Sequence, residues 1–447
     1  MATPTQIERF VAEFEHSEGV RVQNAPAWLA PLRKGAISRF AELGFPGPRD
    51  EEWRFINISP IVQGPFKLAK APGRDLTPDH LRPYLLEEVS ARRLVFVDGH
   101  HVPELSSVGG DLNGVRIESL ARALRERPAD IKPHLARYAR HQDHPFTALN
   151  TAFLEDGAFV YVPKGTVVEA PIHLVFVSTA RSEATVSHPR ALIVAEANSQ
   201  SFVLESYVGL GDGTYFTNPV TELVAGPDAV VDHCKLQRES PGAFHVARLQ
   251  LHQSRGSSVL SHSIAAGGAI VRNDVNAVLD GEGADCALNG LFIAGGRQQV
   301  DNHLRVEHAK PHGDSREFYK GILDGQARGV FTGRIVVHKD AQKTDAKQTN
   351  MNLLLSETAQ IDTKPQLEIF ADDVKCTHGA TIGQLSKDAI FYLRTRGLSE
   401  PAARSLLTYA FAGECIERIE NESLRSVLEG LLRTWLPQGV PLTGVLE

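Results

Sequence analysis

Cysteine is scarce in this chain, with four residues in a sequence of 447: Cys234, Cys286, Cys376 and Cys415. They are too few and too widely spaced for a disulfide scaffold or a zinc ribbon. Such usage is typical of a protein from the reducing cytosol, so we expect a cytoplasmic location. Residues 1–20 contain no apolar core of a secretory signal peptide. No apolar run approaches the ~18 residues that a transmembrane helix requires.

Several catalytic and nucleotide-binding motifs are also missing. No G-x-x-x-x-G-K-[ST] sequence occurs, so we expect no nucleotide on this chain. The glycine-rich run at 209–213 does not fit G-x-G-x-x-G and is more typical of a turn, and neither H-E-x-x-H nor G-x-S-x-G is present. The net charge of −7 argues against a nucleic-acid partner, because phosphate binding requires a basic surface.

Short β-rich segments separated by small-residue turns fill residues 157–383, and helical periodicity is nearly absent there. Examples are 159–162, 173–177 and 248–251. Their spacing is irregular, so no strict sequence repeat is present. Strands punctuated in this way are typical of a sandwich, a barrel or a β-solenoid, and spacing alone does not choose among them.

Helical patterns flank this region on both sides. We predict an N-terminal helical arm at 1–60 and a mixed α/β lead-in at 61–156, with a short helix at 135–140. A helical unit follows at 384–447. Its expected N-caps, which are residue types favoured at helix starts, are Ser386, Ser399 and Asn421. The stripe expected to pack inward on the helix after Ser399 is Leu406, Leu407 and Ala410.

Cys376 and His378 stand two residues apart at the end of the β-rich region. In a strand their side chains would point to the same face, roughly 6.5 Å apart along the chain. Thiolate sulfur and imidazole nitrogen both bind iron and zinc. Two ligands make only half of a four-ligand site, so a metal here would need further ligands from remote strands or from another chain. The alternative is a buried core cysteine beside a backbone-bonded histidine, which is the more common situation.

Two weaker groups of candidate ligands occur upstream. His303, His308 and His312 could gather on a strand and turn, although we expect them to be exposed or bonded to backbone. Asp232, His233 and Cys234 are consecutive, so strand alternation would place His233 and Cys234 on opposite faces.

Longer stretches of the chain resemble the SufB/SufD family of iron–sulfur cluster assembly proteins. The similarity is closest in KPQLEIFADDVKCTHGATIGQL at 364–385 and IFYLRTRG at 390–397. Further matches are DEEWR at 50–54, YKGI at 319–322, GVFTGRI at 329–335 and QKTDA at 342–346. SufB-type chains carry an acidic residue near this point, where this chain has Cys-Thr-His-Gly, so the resemblance is to the SufD type.

The resemblance implies a mainly β fold, a right-handed parallel β-helix at 157–383 flanked by α-helical units. It implies a non-catalytic scaffold that pairs through this β-helix with SufB, or with a second copy of itself when SufB is absent. Cys376 and His378 would then contribute ligands to a transient iron–sulfur cluster shared with SufB. The unit at 384–447 would dock the SufC ATPase, with Arg394 and Arg396 facing it. Involvement of a flavin stays open.

A β-helix polysaccharide lyase or hydrolase acting alone is the alternative. Such an enzyme needs paired acidic groups along one groove, and Glu368, Asp372 and Asp373 are available. A shared fold does not establish a shared activity, and the absence of a secretion signal favours the scaffold.

Overall fold

The computed structural model describes residues 4–21, 25–71, 76–90, 92–109, 113–180 and 183–435. The helices that precede the long β region are α1 (Pro4–Arg21), α2 (Leu29–Leu43), α3 (Ser59–Gln63), α4 (Pro78–Leu81), α5 (Leu120–Glu126), α6 (Pro128–Ile131) and α7 (Pro145–Ala152). Single 3-10 turns occupy Glu51–Trp53, Arg82–Tyr84 and Pro103–Leu105.

The N-terminal helices form an aromatic core of their own that packs onto the β region. Helix α2 ends at Leu43 because Gly44 adopts φ 66, a left-handed conformation that glycine tolerates. Phe40 meets Phe10 and Phe45 edge to face, with ring centroids 5.9 and 5.1 Å apart. Trp53 is buried under the Arg272 guanidinium, 3.8 Å from the ring centroid. This cation–π contact holds the arm against the strands.

The strands alternate between two sheets along the chain. In the first part they are β1 (Lys67–Leu68), β2 (Arg92–Val97), β3 (His100–His101), β4 (Arg116–Ser119), β5 (Gly157–Val162), β6 (Ile172–Thr179), β7 (Thr185–Ser187), β8 (Arg190–Ala195), β9 (Gln200–Leu210), β10 (Tyr215–Thr217) and β11 (Val220–Ala225). The later strands are β12 (Val230–Arg238), β13 (Phe244–Gln253), β14 (Ser258–Ala266), β15 (Ile270–Leu279), β16 (Asp285–Ala294), β17 (Gln299–His308), β18 (Asp314–Leu323), β19 (Arg328–Val337), β20 (Asp345–Leu354), β21 (Gln360–Ile369) and β22 (Lys375–Gly383).

Both sheets are built mainly from parallel neighbours that belong to successive coils, and only the terminal pairs β3 on β2 and β4 on β5 are antiparallel along these orders. One has the order β4-β5-β8-β11-β13-β15-β17-β19-β21, and the other has the order β3-β2-β6-β9-β12-β14-β16-β18-β20-β22. Asp314 of β18 pairs with Asp285 of one coil and Asp345 of the next. Asn198 and Asp228 turn the chain at coil corners with φ 56, as the small-residue turns predicted. The chain is therefore a β-solenoid of about eight turns, which confirms the predicted fold class over a sandwich or a barrel.

Alternate residues of each strand point into the solenoid, and we call that interior the lumen. Much of the lumen is apolar, as in the row formed by Val231, Val259 and Cys286 on neighbouring coils. Equivalent positions on successive strands stack in rows, because the coils are in register and about 4.8 Å apart. These rows determine which side chains meet inside the solenoid. The division into units at 60/61, 156/157 and 383/384 stays a prediction.

The short helix predicted at 135–140 is wrong, because these residues form turns. Ala136 adopts φ 56, which no right-handed helix allows. The backbone N–H groups of Ala136, Tyr138 and Ala139 donate to the buried Glu222 carboxylate at 2.8, 3.0 and 3.0 Å. A partner from a distant strand thus takes the donors that a helix would have used.

The C-terminal helices are α8 (Lys387–Thr395), α9 (Glu400–Ile416) and α10 (Glu422–Trp435). The three predicted N-caps are confirmed. Ser386, Ser399 and Asn421 accept hydrogen bonds from backbone N–H groups three residues later, at 3.3, 3.4 and 2.9 Å. The part of the predicted unit after Trp435 lies outside the described residues.

The inward stripe predicted for α9 is wrong. Leu406 and Leu407 are only half-buried and Ala410 is exposed. The buried face is made instead mostly by smaller residues, because α9 lies close against the outer side of the solenoid: Ala402, Ala403, Thr408, Ala412 and Cys415, together with Ile416. Lys320 holds α9 in place, since its buried ammonium donates to the Phe411 carbonyl at 2.9 Å and to the Glu414 carboxylate.

Candidate functional site

Cys376 and His378 lie on β22, the last strand of its sheet, which pairs with β20. Both side chains are on the same side of the strand, as their spacing predicts. Cys376 is in register with Ala346 and packs, half-buried, beside Ile335 and Val337. His378 is exposed. The predicted pair therefore faces the lumen at the end of the solenoid.

The position of His378 follows from a row of luminal residues behind it. In register along the coils, the row consists of His233, Ser261, Leu288, Glu317, Gln348 and His378. Glu317 and Gln348 are 2 % and 1 % exposed, and the amide of Gln348 donates to Glu317 Oε2 at 2.6 Å. His378 thus occupies a position that is buried one coil earlier, and it is exposed because no coil of the described chain covers it.

The two side chains differ in how ready they are to bind a metal. Burial raises the pKa of the Cys376 thiol, against the effect of a backbone hydrogen bond from Ala346. The thiol therefore carries its proton near pH 7, and metal binding must release that proton. Among the described residues no hydrogen bond reaches the His378 ring, so the backbone-bonded histidine of the alternative interpretation is not observed.

Cys376 and His378 do not complete a metal site by themselves. Within the described ranges no group of three or more His, Cys, Asp and Glu side chains could hold a metal ion. A four-ligand ion or cluster at this end would therefore take its remaining ligands from outside the described chain.

The histidines 303, 308 and 312 do not form a ligand group. His303 is largely buried and lies 3.9 Å from the Glu52 carboxylate. His308 bonds the Ser315 hydroxyl at 2.9 Å, and His312 is exposed on a turn with φ 57. Each histidine has a separate structural environment. His312 is exposed as expected, whereas the expectation is wrong for His308, which is buried and bonded to a side chain, and His303 is buried rather than exposed.

Residues 232–234 do not form a ligand group either. His233 points into the lumen, where its ring bonds Glu205 at 3.0 Å and Ser261 at 2.9 Å. Cys234 lies on the opposite face, in the apolar layer beneath α9 and α10. Strand alternation therefore separates the two potential ligands, as predicted.

A polar cluster in the middle of the lumen escaped the sequence analysis. Lys235 is buried and donates to His245 at 2.8 Å and to Asn273 at 2.6 Å. Burial lowers the pKa of Lys235 to about 8, opposed by the charges of Glu205 and Glu239. Lys235, Asn273 and Glu205 border a cavity of about 20 Å³, which is room for one water molecule. The pattern that could have revealed this cluster is the polar series His233, Lys235 and Gln237 at alternate positions of β12, where a lumen normally carries apolar residues.

The surface beside Cys376 and His378 is apolar. Large exposed side chains there and on α8 are Ile369, Phe370, Ile382, Phe391 and Tyr392. No residue of α8 is buried. Arg394 on α8 lies 3.3 Å from Glu400, and Arg396, the C-cap of α8, stacks over Tyr392. Both predicted docking residues are exposed. Large exposed apolar side chains at one end of the solenoid and on the helix that follows it are a feature of binding regions in soluble proteins.

Two family models match almost the whole chain. Residues 5–174 match the SufBD protein N-terminal region, and residues 176–411 match the SufBD core domain of the SUF iron–sulfur cluster assembly system. The chain belongs to the SufBD family. The residues of the solenoid end thus lie in a protein of iron–sulfur cluster assembly.

Named relatives are similar to this chain over about nine tenths of their length. This SufBD chain is 35% identical to a SufBD family iron–sulfur cluster assembly protein of Synechocystis over 408 residues, 90% of this chain and 89% of the relative. It is 30% identical to SufD of Escherichia coli over 413 residues, 92% and 94% of the two chains. Identity to SufD of Bacillus subtilis is 26% over 417 residues, 91% and 94%. In the described part of the chain, every helix is too short or too polar to cross a membrane.

Proposed function

We propose that this SufBD chain is a non-catalytic scaffold subunit that works in a complex with a SufB-type chain and a SufC-type ATPase. Its solenoid end pairs with the SufB-type chain, or with a second copy of itself when that chain is absent. Cys376 and His378 give two ligands to an iron–sulfur cluster that is being built, and the partner gives the others. The cluster is the cargo of the complex, and this chain holds it only transiently.

The difference between the two ends of the solenoid carries this proposal. At the first end both sheets finish with antiparallel strands, β3 on β2 and β4 on β5, and the luminal Phe96 is 0% exposed. At the other end the luminal Ile382 is 51% exposed. An uncovered strand edge with apolar side chains invites pairing with another chain. The ligand pair lies at this uncovered end.

The exposed helix α8 supports docking of the ATPase. Arg394 on α8 and Arg396 at its C-cap are accessible beside Phe391 and Tyr392, and aromatic and arginine side chains are enriched at the centres of interfaces. The chain lacks a nucleotide-binding loop, so an ATP-driven step would require a partner. We propose that the C-terminal helices, chiefly α8 and α9, bind that partner.

The ligand role is tested with the double variant Cys376→Ala, His378→Ala. His378 is exposed and Cys376 half-buried, so we expect stability to change by less than about 1 kcal/mol. The complex with the SufB-type and SufC-type chains should form but lose most of its iron and sulfide after anaerobic reconstitution. Thr377→Ala, on the opposite face of the strand, is the matched control. Normal iron and sulfide content in the double variant would refute the ligand role.

The docking role is tested by charge reversal on α8. Removing residues 384–447 would uncover the apolar outer face of the solenoid, so truncation would confuse docking with folding. Arg394→Glu with Arg396→Glu should weaken binding of the SufC-type ATPase at least tenfold by calorimetry while the chain stays folded. Arg433→Glu on α10, also exposed, is the control. Unchanged affinity in the double reversal would place the docking surface elsewhere.

A lyase or hydrolase receives less support. Glu368 and Asp373 are engaged with Arg334 and Lys343 at the surface, and the family is one of cluster assembly. An enzyme would act alone on a polysaccharide, so product release by the isolated chain would favour that alternative.

A further inference from the structure

The luminal row behind His378 contains two polar side chains whose hydrogen bonding is incomplete. Glu317 and Gln348 are almost fully buried, and one bond of 2.6 Å joins them. Glu317 Oε1 and Gln348 Oε1 have no hydrogen-bond partner within the described residues. Leaving a buried acceptor without a partner costs about 1–3 kcal/mol. Such a cost in a stable core calls for a functional or structural reason.

The opposite sheet keeps space free for the Gln348 amide. Gly333 faces it across the lumen, and a Cβ atom at Gly333 would lie 2.0 Å from Gln348 Nε2. The φ of Gly333 is not in the left-handed region, so its backbone does not require glycine. Glycine at position 333 therefore leaves room for the Gln348 amide.

The neighbouring row on the same strands is bonded differently. Asn350 accepts hydrogen bonds from Asn352 at 2.6 Å and from Thr363 at 3.0 Å, and it donates to the Tyr319 carbonyl at 3.2 Å. Both ends of its amide are thus occupied. Gln348 therefore differs from Asn350, the next luminal residue on β20, although Asn352 further along the strand also has an amide oxygen without a partner among the described residues.

We propose that Gln348 and Glu317 are positioning residues for His378. The amide oxygen of Gln348 accepts the N–H of one ring nitrogen of His378 and leaves the other nitrogen directed at the group that binds there, while Glu317 holds the amide in that orientation. The inference rests on the ligand role proposed above. Gln348 and His378 are in register on adjacent strands, and the strand spacing of about 4.8 Å brings the two side chains within reach of each other. Metal-binding histidines generally donate their second N–H to such an acceptor.

The chemistry of Glu317 suits this support. Burial raises the pKa of Glu317 to about 8, against the effect of the Gln348 hydrogen bond. The neutral acid can both accept from the amide and remain in the lumen without a counter-charge. In its neutral form Glu317, two coils behind His378, adds no negative charge to the lumen behind the proposed ligands.

The test uses Co²⁺ as a spectroscopic probe of the full chain in its complex with the SufB-type and SufC-type partners. Visible absorption reports nitrogen and sulfur ligation, and a titration gives the affinity. We expect Gln348→Met and Glu317→Leu to weaken Co²⁺ binding about tenfold or more and to change the spectrum. Glu317→Gln, which mimics the neutral acid, should retain wild-type affinity. Tyr319→Phe removes one oxygen from the neighbouring row and is the control.

A parallel Co²⁺ titration of His378→Ala distinguishes the ligand role of His378 from the positioning role of Gln348 and Glu317. Loss of the Co²⁺ signal in His378→Ala, with weakened binding in Gln348→Met and Glu317→Leu, supports both the ligand role and the positioning role. Loss in His378→Ala with wild-type binding in those two variants overturns the positioning role alone. An unchanged signal in His378→Ala overturns the ligand role. Gln348→Met and Glu317→Leu replace buried polar side chains with apolar ones and Glu317→Gln keeps the shape of the neutral acid, so we expect these variants to fold.

Discussion

Replacing Glu317 with Gln should stabilise the protein at alkaline pH. Glu317 is 2 % exposed, and burial raises its pKa from 4.5 to about 8, although the bond from Gln348 opposes the shift. Its deprotonation places an uncompensated negative charge in the lumen. A glutamine keeps the shape and the hydrogen bond of the neutral acid and cannot ionise.

The sign and size of the effect follow from proton linkage. Between pH 4.5 and about 8 the folded chain keeps the proton on Glu317 while the unfolded chain releases it. The stabilisation from this group is complete below the unfolded pKa and is lost as pH rises toward the folded one. The loss is about 1.4 kcal/mol per pH unit, so wild type should lose about 2–3 kcal/mol relative to Glu317→Gln between pH 6 and pH 8.

Hydrogen exchange of the amides in β18, with urea unfolding at pH 6, 7 and 8, measures this difference. Glu205→Gln is the control of opposite sign. Burial raises the pKa of Glu205, but the contacts with His233, Tyr207 and Thr221 lower it by more, so the net shift is downward. The ionised carboxylate is therefore the stabilising form, and this substitution should destabilise the protein at neutral pH. A stability difference for Glu317→Gln that does not grow with pH would refute the reasoning.

Three further predictions concern buried contacts. Arg190→Met should destabilise by about 3–5 kcal/mol in urea unfolding, because Glu222, 0% exposed like Arg190, keeps its charge without a counter-ion. Adding Glu222→Gln should recover more than half of that loss, and no recovery would contradict the pairing. Gly333→Ala should cost about 1–3 kcal/mol by overpacking against Gln348, and a neutral result would show that the space is not needed. Lys320→Met should speed hydrogen exchange in α9, and unchanged exchange would mean that Lys320 does not hold the helix.

Local features of the chain could be predicted from the sequence because their causes are local. The N-caps at Ser386, Ser399 and Asn421 depend on a side chain and an amide three residues apart, and all three are confirmed. The same holds for Cys376 and His378 sharing one side of a strand, since alternation needs only an extended backbone.

Features that depend on distant partners could not be predicted. Residues 135–140 have helical composition, but Glu222, more than 80 positions later, takes their backbone donors. On α9 the size of Leu406 and Leu407 suggested the buried face, whereas close approach to the solenoid selects alanine, threonine and cysteine. Periodicity identifies a helix more reliably than it identifies the face that a neighbouring sheet will cover.

The luminal rows could not be predicted from the sequence, because identifying them requires the register of every coil. Gln348 lies 30 positions from His378 and 31 from Glu317, and these offsets differ because coil lengths vary. A change of one residue in any turn would move a whole strand to the opposite face. The sequence therefore indicates a solenoid and a ligand pair, but only the register places a buried acid and amide behind that pair.

The connection between α8 and the ligand strand bears on how a partner could act on the site. Residues 384–386 join β22 to α8, a link that spans at most about 11 Å. Helix α9, against which α8 packs, is held to the solenoid by Lys320, whereas α8 has no buried residue. In the proposed complex, a displacement applied to α8 would therefore meet little resistance from the core and would reach β22 through three residues. The charge reversal on α8 and the ligand substitutions on β22 consequently test two ends of one short segment.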